Sequence, residues 1–323
     1  MPASDLEREL RQATLDDAAL VADLESMRDP LEPRDPVQLR YWWQMSDELE
    51  RTMRRVLVRE GSAIAYIGVS HEMWSDSERR FGVIRPLLRY EEWTDDDFAR
   101  LVDIGAGWLR SEGAEAAVAR VREDFPRELG VLQRLGFHED RRLRTSELDL
   151  VAHRDRIVAA ALESRGRMQE RGIAMHPFSD DVDPERYRKL YETMLESGHD
   201  VPHSVPEHDM TLDEWRRYWF DNPTIRQDRF WIAREGDDIV GCSVLDCPVV
   251  RGVPWTGYTG TRRRVRGRGI ARALKYQSMA QAIEVGYKRV RTTNDAENPA
   301  ILRINHEMGY RLVAPIIELH SAL

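Results

Sequence analysis

The chain has 323 residues, 41% apolar and 33% charged, with 48 Lys and Arg against 57 Asp and Glu for a net charge of −9. That composition excludes a disordered chain and gives no global positive field to attract nucleic acid. No apolar run approaches the roughly 18 residues that span a bilayer, the charged N-terminus is no signal peptide, and Cys242 and Cys247 share one apolar segment, which argues against a disulfide scaffold or a thiolate zinc site. These features predict a cytoplasmic protein, with no membrane or nucleic-acid partner and length enough for two domains.

In chain order, Tyr41-Trp42-Trp43 precedes a strand, an R-E-G turn at Gly61 and a second strand, spanning Arg51 to Val69. Leu135-Gly136-Phe137 closes a later helix. The same signals recur in the same order roughly 175 residues on: Tyr218-Trp219-Phe220, a hairpin from Arg226 to Val244 turning at Gly236, and Met308-Gly309-Tyr310. Three matches at a nearly constant offset predict a duplication: a first copy over residues 1–152, a linking helix over 153–171 ending before Gly172, and a second copy over 172–323.

The second copy reads as a strand at 172–177, helices at 183–197 and 211–221, a hairpin at 229–246, a strand at 254–261, a helix at 269–285, a strand at 288–293, a helix at 299–308 and closing strands over 311–320. The fold class is α/β, with each copy a mixed, mostly antiparallel twisted sheet flanked by helices.

The most informative stretch is Trp255 to Lys275, W-T-G-Y-T-G-T-R-R-R-V-R-G-R-G-I-A-R-A-L-K. A strand gives way to a turn with Gly267 and Gly269, and then to a helix with Ile270, Ala273 and Leu274 on its apolar side. A glycine turn opening a helix presents unpaired backbone N–H groups at the positive end of the helix dipole, which suits a phosphate or diphosphate. The stretch has neither the G-K-[ST] ending of a P-loop nor a G-x-G-x-x-G fingerprint. The bland alternative is a solvated arginine-rich loop, since Arg262, Arg263, Arg264, Arg266, Arg268 and Arg272 surround the turn.

R-G-R-G-I-A, Arg266 to Ala271, is similar to the [QR]-x-x-G-x-[GA] signature of the GNAT superfamily of N-acetyltransferases. T-N-D-A-E-N-P-A-I-L-R-I-N-H-E-M-G-Y, Thr293 to Tyr310, resembles the strand end and helix that follow it in that family. The resemblance covers residues 172–323 and, weakly, the first copy; the tandem arrangement resembles the mycothiol synthase-like branch. It implies two tandem GNAT-like domains and acetyl-CoA as co-substrate, with direct transfer of acetyl to the primary amine of a small molecule. The backbone of Thr259, Gly260 and Thr261 would pair with the pantetheine arm. The amides of Arg266, Gly267, Arg268, Gly269, Ile270 and Ala271 would hold the pyrophosphate. Asn294 and Asn298 would line the slot, Asn298 doubling as a helix N-cap before Pro299.

Two positions depart from the family pattern. Trp255 stands where many members carry a glutamate base, and Asn305 where many carry a tyrosine acid, leaving Asn305 to hydrogen-bond the sulfur. A replacement base would come from one of Tyr258, Asp246, Glu318 or His320, which the sequence does not rank. In the first copy the matching turn falls near Glu91, without glycine and among Glu92, Asp95, Asp96 and Asp97; this copy should form a helix there, bind no CoA and serve as a structural wall. The segment from Glu196 to Thr211 carries His199, Asp200, His203, Glu207, His208 and Asp209 and reads as a stiff acidic lid for a cationic amine, its irregular spacing unlike a zinc motif. A non-catalytic acyl-CoA-binding or sensing protein is the alternative, favoured by the missing base and acid.

Overall fold

The chain is described from a computed structural model that covers residues 5–73, 79–89, 91, 93–202 and 209–323. The first copy supplies α1 (Asp5–Glu9), β1 (Arg11–Gln12), α2 (Ala18–Arg28), α3 (Pro36–Leu49), β2 (Glu50–Arg59), β3 (Ser62–Glu72), β4 (Phe81–Leu88), α4 (Asp95–Glu112), β5 (Ala116–Arg122), α5 (Pro126–Arg134) and β6 (His138–Asp149). The linking helix α6 (Arg154–Glu170) follows. The second copy supplies β7 (Ile173–Pro177), α7 (Arg186–Gly198), α8 (Leu212–Phe220), β8 (Ile225–Glu235), β9 (Asp238–Asp246), β10 (Trp255–Thr261), α9 (Ile270–Val285), β11 (Arg289–Asp295), α10 (Pro299–Met308), β12 (Arg311–Leu312) and β13 (Ile316–Ala322).

Local chemistry sets these boundaries. Both hairpins turn on a glycine at positive φ, Gly61 at 75° and Gly236 at 60°. Thr94 and Asp97 form a capping box on α4, and Thr211 and Glu214 form one on α8. Asn298 caps α10, whose first residue is Pro299. No helix among the described residues is long and apolar enough to cross a membrane.

Among the described residues thirteen strands form one sheet in the order β1-β2-β3-β4-β5-β13-β6-β11-β10-β9-β8-β7, with β12 pairing β6. The two copies exchange their closing strands. β13 of the second copy lies antiparallel between β5 and β6, with Glu318 opposite Arg120 on one side and Arg141 on the other. The second part of β6, Leu143 to Asp149, pairs with the whole of β11, from Arg289 opposite Asp149 to Asp295 opposite Leu143. The cores follow the exchange: Ile317 and Leu319 of β13 are buried with Leu101, Leu109 and Leu132 of the first copy. Leu148 of β6 is buried with Met279, Val290 and Met308 of the second.

A second tie crosses the copies at Asp35. Its Oδ1 caps α3 by accepting from the amides of Val37 (2.9 Å) and Gln38 (3.0 Å), while Oδ2 accepts from those of Val249 (2.8 Å), Val250 (2.6 Å) and Arg251 (3.2 Å). Sheet faces are covered by α2 and α3 against β2 and β3, and by α7 and α8 against β8 and β9. On the opposite face of the second half, α6 packs along α9, where the buried Gln277 donates to Ala161 O (2.8 Å) and accepts from Arg165 Nε (2.9 Å).

Candidate functional site

β10 ends at Thr261, the Arg262 amide donates to Val240 O (2.9 Å), and one helical turn over Arg263–Val265 leads to the glycine turn. Gly267 (φ 76°) and Gly269 (φ 83°) both lie in the left-handed region, and a Cβ built at either meets no atom within 4 Å. Glycine is needed here for conformation, and the space in front of the turn is open. The Ala273 amide, bonded to Gly269 O (3.0 Å), begins the α9 ladder. Helix geometry therefore leaves the amides of Ile270, Ala271 and Arg272 without intrahelical acceptors.

The arginines around the turn are engaged elsewhere. Arg263 (2.8 Å) and Arg266 (2.6 Å) pair with Asp200, Arg264 with Glu235 and Asp238, Arg268 with Glu235 (2.7 Å) and Arg272 with Glu307 (2.7 Å). The two guanidiniums hold the Asp200 carboxyl well below the usual range. An anion at this corner thus meets main-chain N–H groups and the helix dipole, with the arginines as a neutralised frame rather than a loose cationic patch.

A cleft opens beside the first part of β10, over Thr256 to Thr259. On its β9 side the strand is fully paired, Thr259 with Ser243, Gly260 with Cys242 and Thr261 with Gly241, and a bulge at Gly257 interrupts the register between Thr256 and Tyr258. On its β11 side the parallel pairing consists of Trp255 with Arg291 alone. Past that pair the strands diverge, and Thr256 to Thr259 line a cleft of about 610 Å³. An extended polyamide can add to an unpaired strand edge as a strand would.

Only some of the expected residues meet here; Gly260, Thr261 and the turn from Arg266 to Ala271 are not part of the cleft lining. Thr259, Tyr258, Asn294 and Asn298 line the cleft. Asn298 also accepts from the Ile301 amide (3.4 Å), so it serves as cap and lining together. Arg120, Arg141 and Leu143 of the first copy form part of the wall, with Glu318 on the exchanged strand. Asn305 is buried below the cleft rather than on its lining. Its Nδ2 donates to Asn294 Oδ1 (2.7 Å), and its Oδ1 accepts from Lys275 Nζ (2.7 Å).

Lys275 escapes the motif reading. It stands on α9 beside Leu274, is wholly buried, and lines the cleft from beneath with Thr256 and Thr292. Burial pulls it down to about 7. The signal available in sequence was a helix that carries Lys275, Gln277 and Ser278 between apolar residues on more than one face.

The four candidate bases separate in space. Tyr258 Oη is 2.7 Å from Ser197 Oγ, and burial pushes its phenol up. Glu318 is buried in the cleft wall and accepts from Arg120 Nε (2.6 Å). His320 lies 3.3 Å from Glu318, and with Asp140 the three bring possible ligand atoms within 4.8 Å of one another. Asp246 lines a different cavity, between the copies, where Gln38 Nε2 donates to it (2.7 Å) and burial raises its carboxyl.

The acidic lid is only partly in view: His203, Glu207 and His208 lie outside the described residues. The described lid carboxylates are already paired, Asp200 with the turn arginines and Asp209 with His199 (2.8 Å). In the first copy, β4 and β5 also part, beyond Ile84 and Ala119, but the helix that follows opens on Asp95, Asp96 and Asp97. Thr94 Oγ1 takes the Asp97 amide (3.2 Å), and Asp95 is held by Arg127 and Arg134. Glu92 lies outside the described residues.

Residues 188–310 match the Acetyltransferase (GNAT) family. Comparison with curated proteins returns no sequence match. Among solved structures, the chain is similar to a GCN5-related N-acetyltransferase from Sphaerobacter thermophilus, at 18% identity over 97% of this chain and 95% of that one, with a TM-score of 0.66. It is similar to a tandem GNAT protein from the clavulanic acid biosynthesis pathway, at 12% identity over 97% and 98% of the two chains, with a TM-score of 0.71. A GCN5-related glucosamine N-acetyltransferase region of a fungal multi-domain β-N-acetylglucosaminidase aligns with 96% of this chain and 37% of that one, at 13% identity and a TM-score of 0.65. The fold is that of the GNAT acetyltransferases in tandem form.

Proposed function

We propose that the protein is an N-acetyltransferase of the mycothiol synthase-like tandem branch, moving acetyl from acetyl-CoA to a primary amine of a small molecule by direct transfer. The observation that carries this reading is the single shared pair between β10 and β11, which leaves β10 without a strand partner on that side after Trp255. In this reading the amides of Gly267 to Ala271 take the pyrophosphate, the Arg266 amide being spent on Arg263 O (3.2 Å), Thr259 to Thr261 pair with the pantetheine arm, and Asn294 and Asn298 border it. Direct transfer is supported by the two thiols: Cys242 and Cys247 are buried, with burial pushing Cys242 up to about 12, so neither offers a nucleophile. The glucosamine N-acetyltransferase similarity makes amino sugars the first acceptors to try, beside amino-acid derivatives and polyamines.

Isothermal titration should show acetyl-CoA binding to the wild-type chain and its loss in Gly269→Glu, which sets a carboxylate among the turn amides. Thiol release across a panel of primary amines then reports turnover. Acetyl-CoA binding without thiol release on any amine supports the acyl-CoA sensor instead, and absence of binding removes the proposal.

A further inference from the structure

In the acetyl-transfer reading the diphosphate sits at the Gly267–Gly269 turn beyond the end of β10, and the Trp255–Arg291 pair closes the other end of the strand's open side. Between Thr261 and Thr256 the strand spans about 16 Å at roughly 3.3 Å per residue, room for an extended arm of two amide units ending in a thioester. A cofactor anchored at the turn therefore brings its sulfur to the apex, where Thr256, Thr292 and Lys275 line the cleft.

Lys275 reaches that apex from the opposite face of the sheet, through the gap where the strands part. Its Nζ donates to Asn305 Oδ1 (2.7 Å) and lies 5.0 Å from the centroid of the Tyr310 ring. An ammonium has three N–H donors. Among the described residues no further acceptor is recorded for it, so a wholly buried, cleft-lining cation holds a donor in reserve. Asn305 is fixed in turn by Asn294, which borders the cleft itself.

We propose that Lys275 is the proton donor to the departing sulfur, held in position by Asn305 and Asn294. The inference rests on the acetyl-transfer reading above. The acceptor nitrogen attacks the thioester carbonyl carbon, the C–N bond forms, and the C–S bond breaks with its electron pair on sulfur. Lys275 gives an Nζ proton to that sulfur, which leaves as the thiol, and the proton shed by the acceptor nitrogen returns Lys275 to the ammonium through solvent. A lysine that titrates near neutrality suits both halves of that cycle. The titratable and charged groups around it are Tyr310 below, Tyr258 and Asp295 along the cleft, and Glu318 with Arg120 and Arg141 on the wall. Asp295 is paired with Arg141, and Glu318 with Arg120.

The test is Lys275→Met with two acyl donors, acetyl-CoA and its selenoester analogue, whose selenolate departs without needing a proton. Calorimetry should show acetyl-CoA affinity within about threefold of wild type, while kcat on acetyl-CoA falls by about 10²–10³. On the selenoester the deficit should shrink to less than about tenfold. An unchanged kcat, or an equal deficit on both donors, overturns the proposal. If circular dichroism shows Lys275→Met misfolded, Asn305→Leu serves: it removes the carbonyl that favours the ammonium, so the alkaline fall of kcat should begin at lower pH than in wild type. An unmoved limb overturns the assignment. Wild-type protein that binds acetyl-CoA and releases thiol keeps the functional reading whatever Lys275 does; wild-type protein that does neither removes both.

Discussion

Trp255 and Arg291 form the one register pair that β10 and β11 share, and the Arg291 side chain fastens that junction. Its Nε donates to Glu147 on β6 (2.8 Å) and its Nη1 to Glu32 of the first copy (2.6 Å), with the guanidinium buried. Burial pushes the Glu32 carboxyl up, and Arg291 opposes that rise. The apex is thus a clamp between strands from both copies.

Arg291→Met should break that clamp while roughly keeping side-chain bulk. Removing one partner of a buried ion pair typically costs about 3–5 kcal/mol, and the half-open position of Glu32 brings the expected loss nearer 2–3 kcal/mol. Urea unfolding measures the loss, and acetyl-CoA titration should show weaker binding because the two strands no longer part at a fixed point. Unchanged stability would mean that pairing on the outer edges of β10 and β11 holds the apex without the side chain.

Much of this architecture is legible locally. The Gly61 and Gly236 hairpins, the Asn298-Pro299 helix start and the Gly267/Gly269 turn each need particular backbone angles or a missing Cβ, which single residues declare. The strand exchange is not local. β6 and β13 can each close either sheet half by their alternation, and the choice is made by what buries Ile317, Leu319 and Leu148 across the copies. Lys275 was hidden for a related reason: a lysine on a helix reads as solvated until the sheet, α10 and Tyr310 are known to enclose it.

Asp35 is a carboxylate serving five amides from two copies. Burial raises its carboxyl, but the amides of Val250, Gln38, Arg251 and Val37 outweigh that and leave it below its ordinary value. Its stabilisation is therefore present above about pH 4, the usual unfolded value, and is lost as pH falls through the lower folded one. Asp35→Asn should cost about 2–4 kcal/mol at neutral pH, because one face of the amide presents N–H groups to N–H groups. Unfolding curves at pH 7 and pH 3.5 check this: the wild-type advantage over Asp35→Asn should narrow in acid, and a constant difference contradicts it.

Lys275 gives a pH dependence of the same sign in a more alkaline window. Its folded value, about 7, lies below the ordinary 10.5, so between those limits the unfolded chain binds more protons and stability rises with pH. The slope from this group approaches about 1.4 kcal/mol per pH unit and vanishes below pH 7, where both states carry the proton and the burial penalty is constant. Lys275→Met should be more stable than wild type at pH 7, with the gap narrowing by pH 9 and still shrinking toward pH 10.5. Parallel curves for the two proteins would place the lysine in contact with water or an anion.

The exchanged strands make a prediction about fragments. A chain of residues 1–152 lacks β13, so β5 and β6 lose the strand between them, and Ile317 and Leu319 leave a gap against Leu101, Leu109 and Leu132. A chain of residues 172–323 lacks β6, which strips every pair from the outer edge of β11 beside the cleft and uncovers Val290 and Met308. Burying one such aliphatic side chain is worth about 1.5–3 kcal/mol, so several lost at once exceed the margin by which either half could stand alone. Each fragment should therefore show weak tertiary structure by near-ultraviolet circular dichroism and an aggregation tendency from the bared strand edges. Residues 1–171 and 172–323 expressed together should recover a one-to-one complex with the tertiary signal of the intact chain, and that chain should unfold in a single transition. Two independent transitions in the intact chain, or a stable 172–323 fragment that binds acetyl-CoA unaided, would show that the halves do not need the strands they trade.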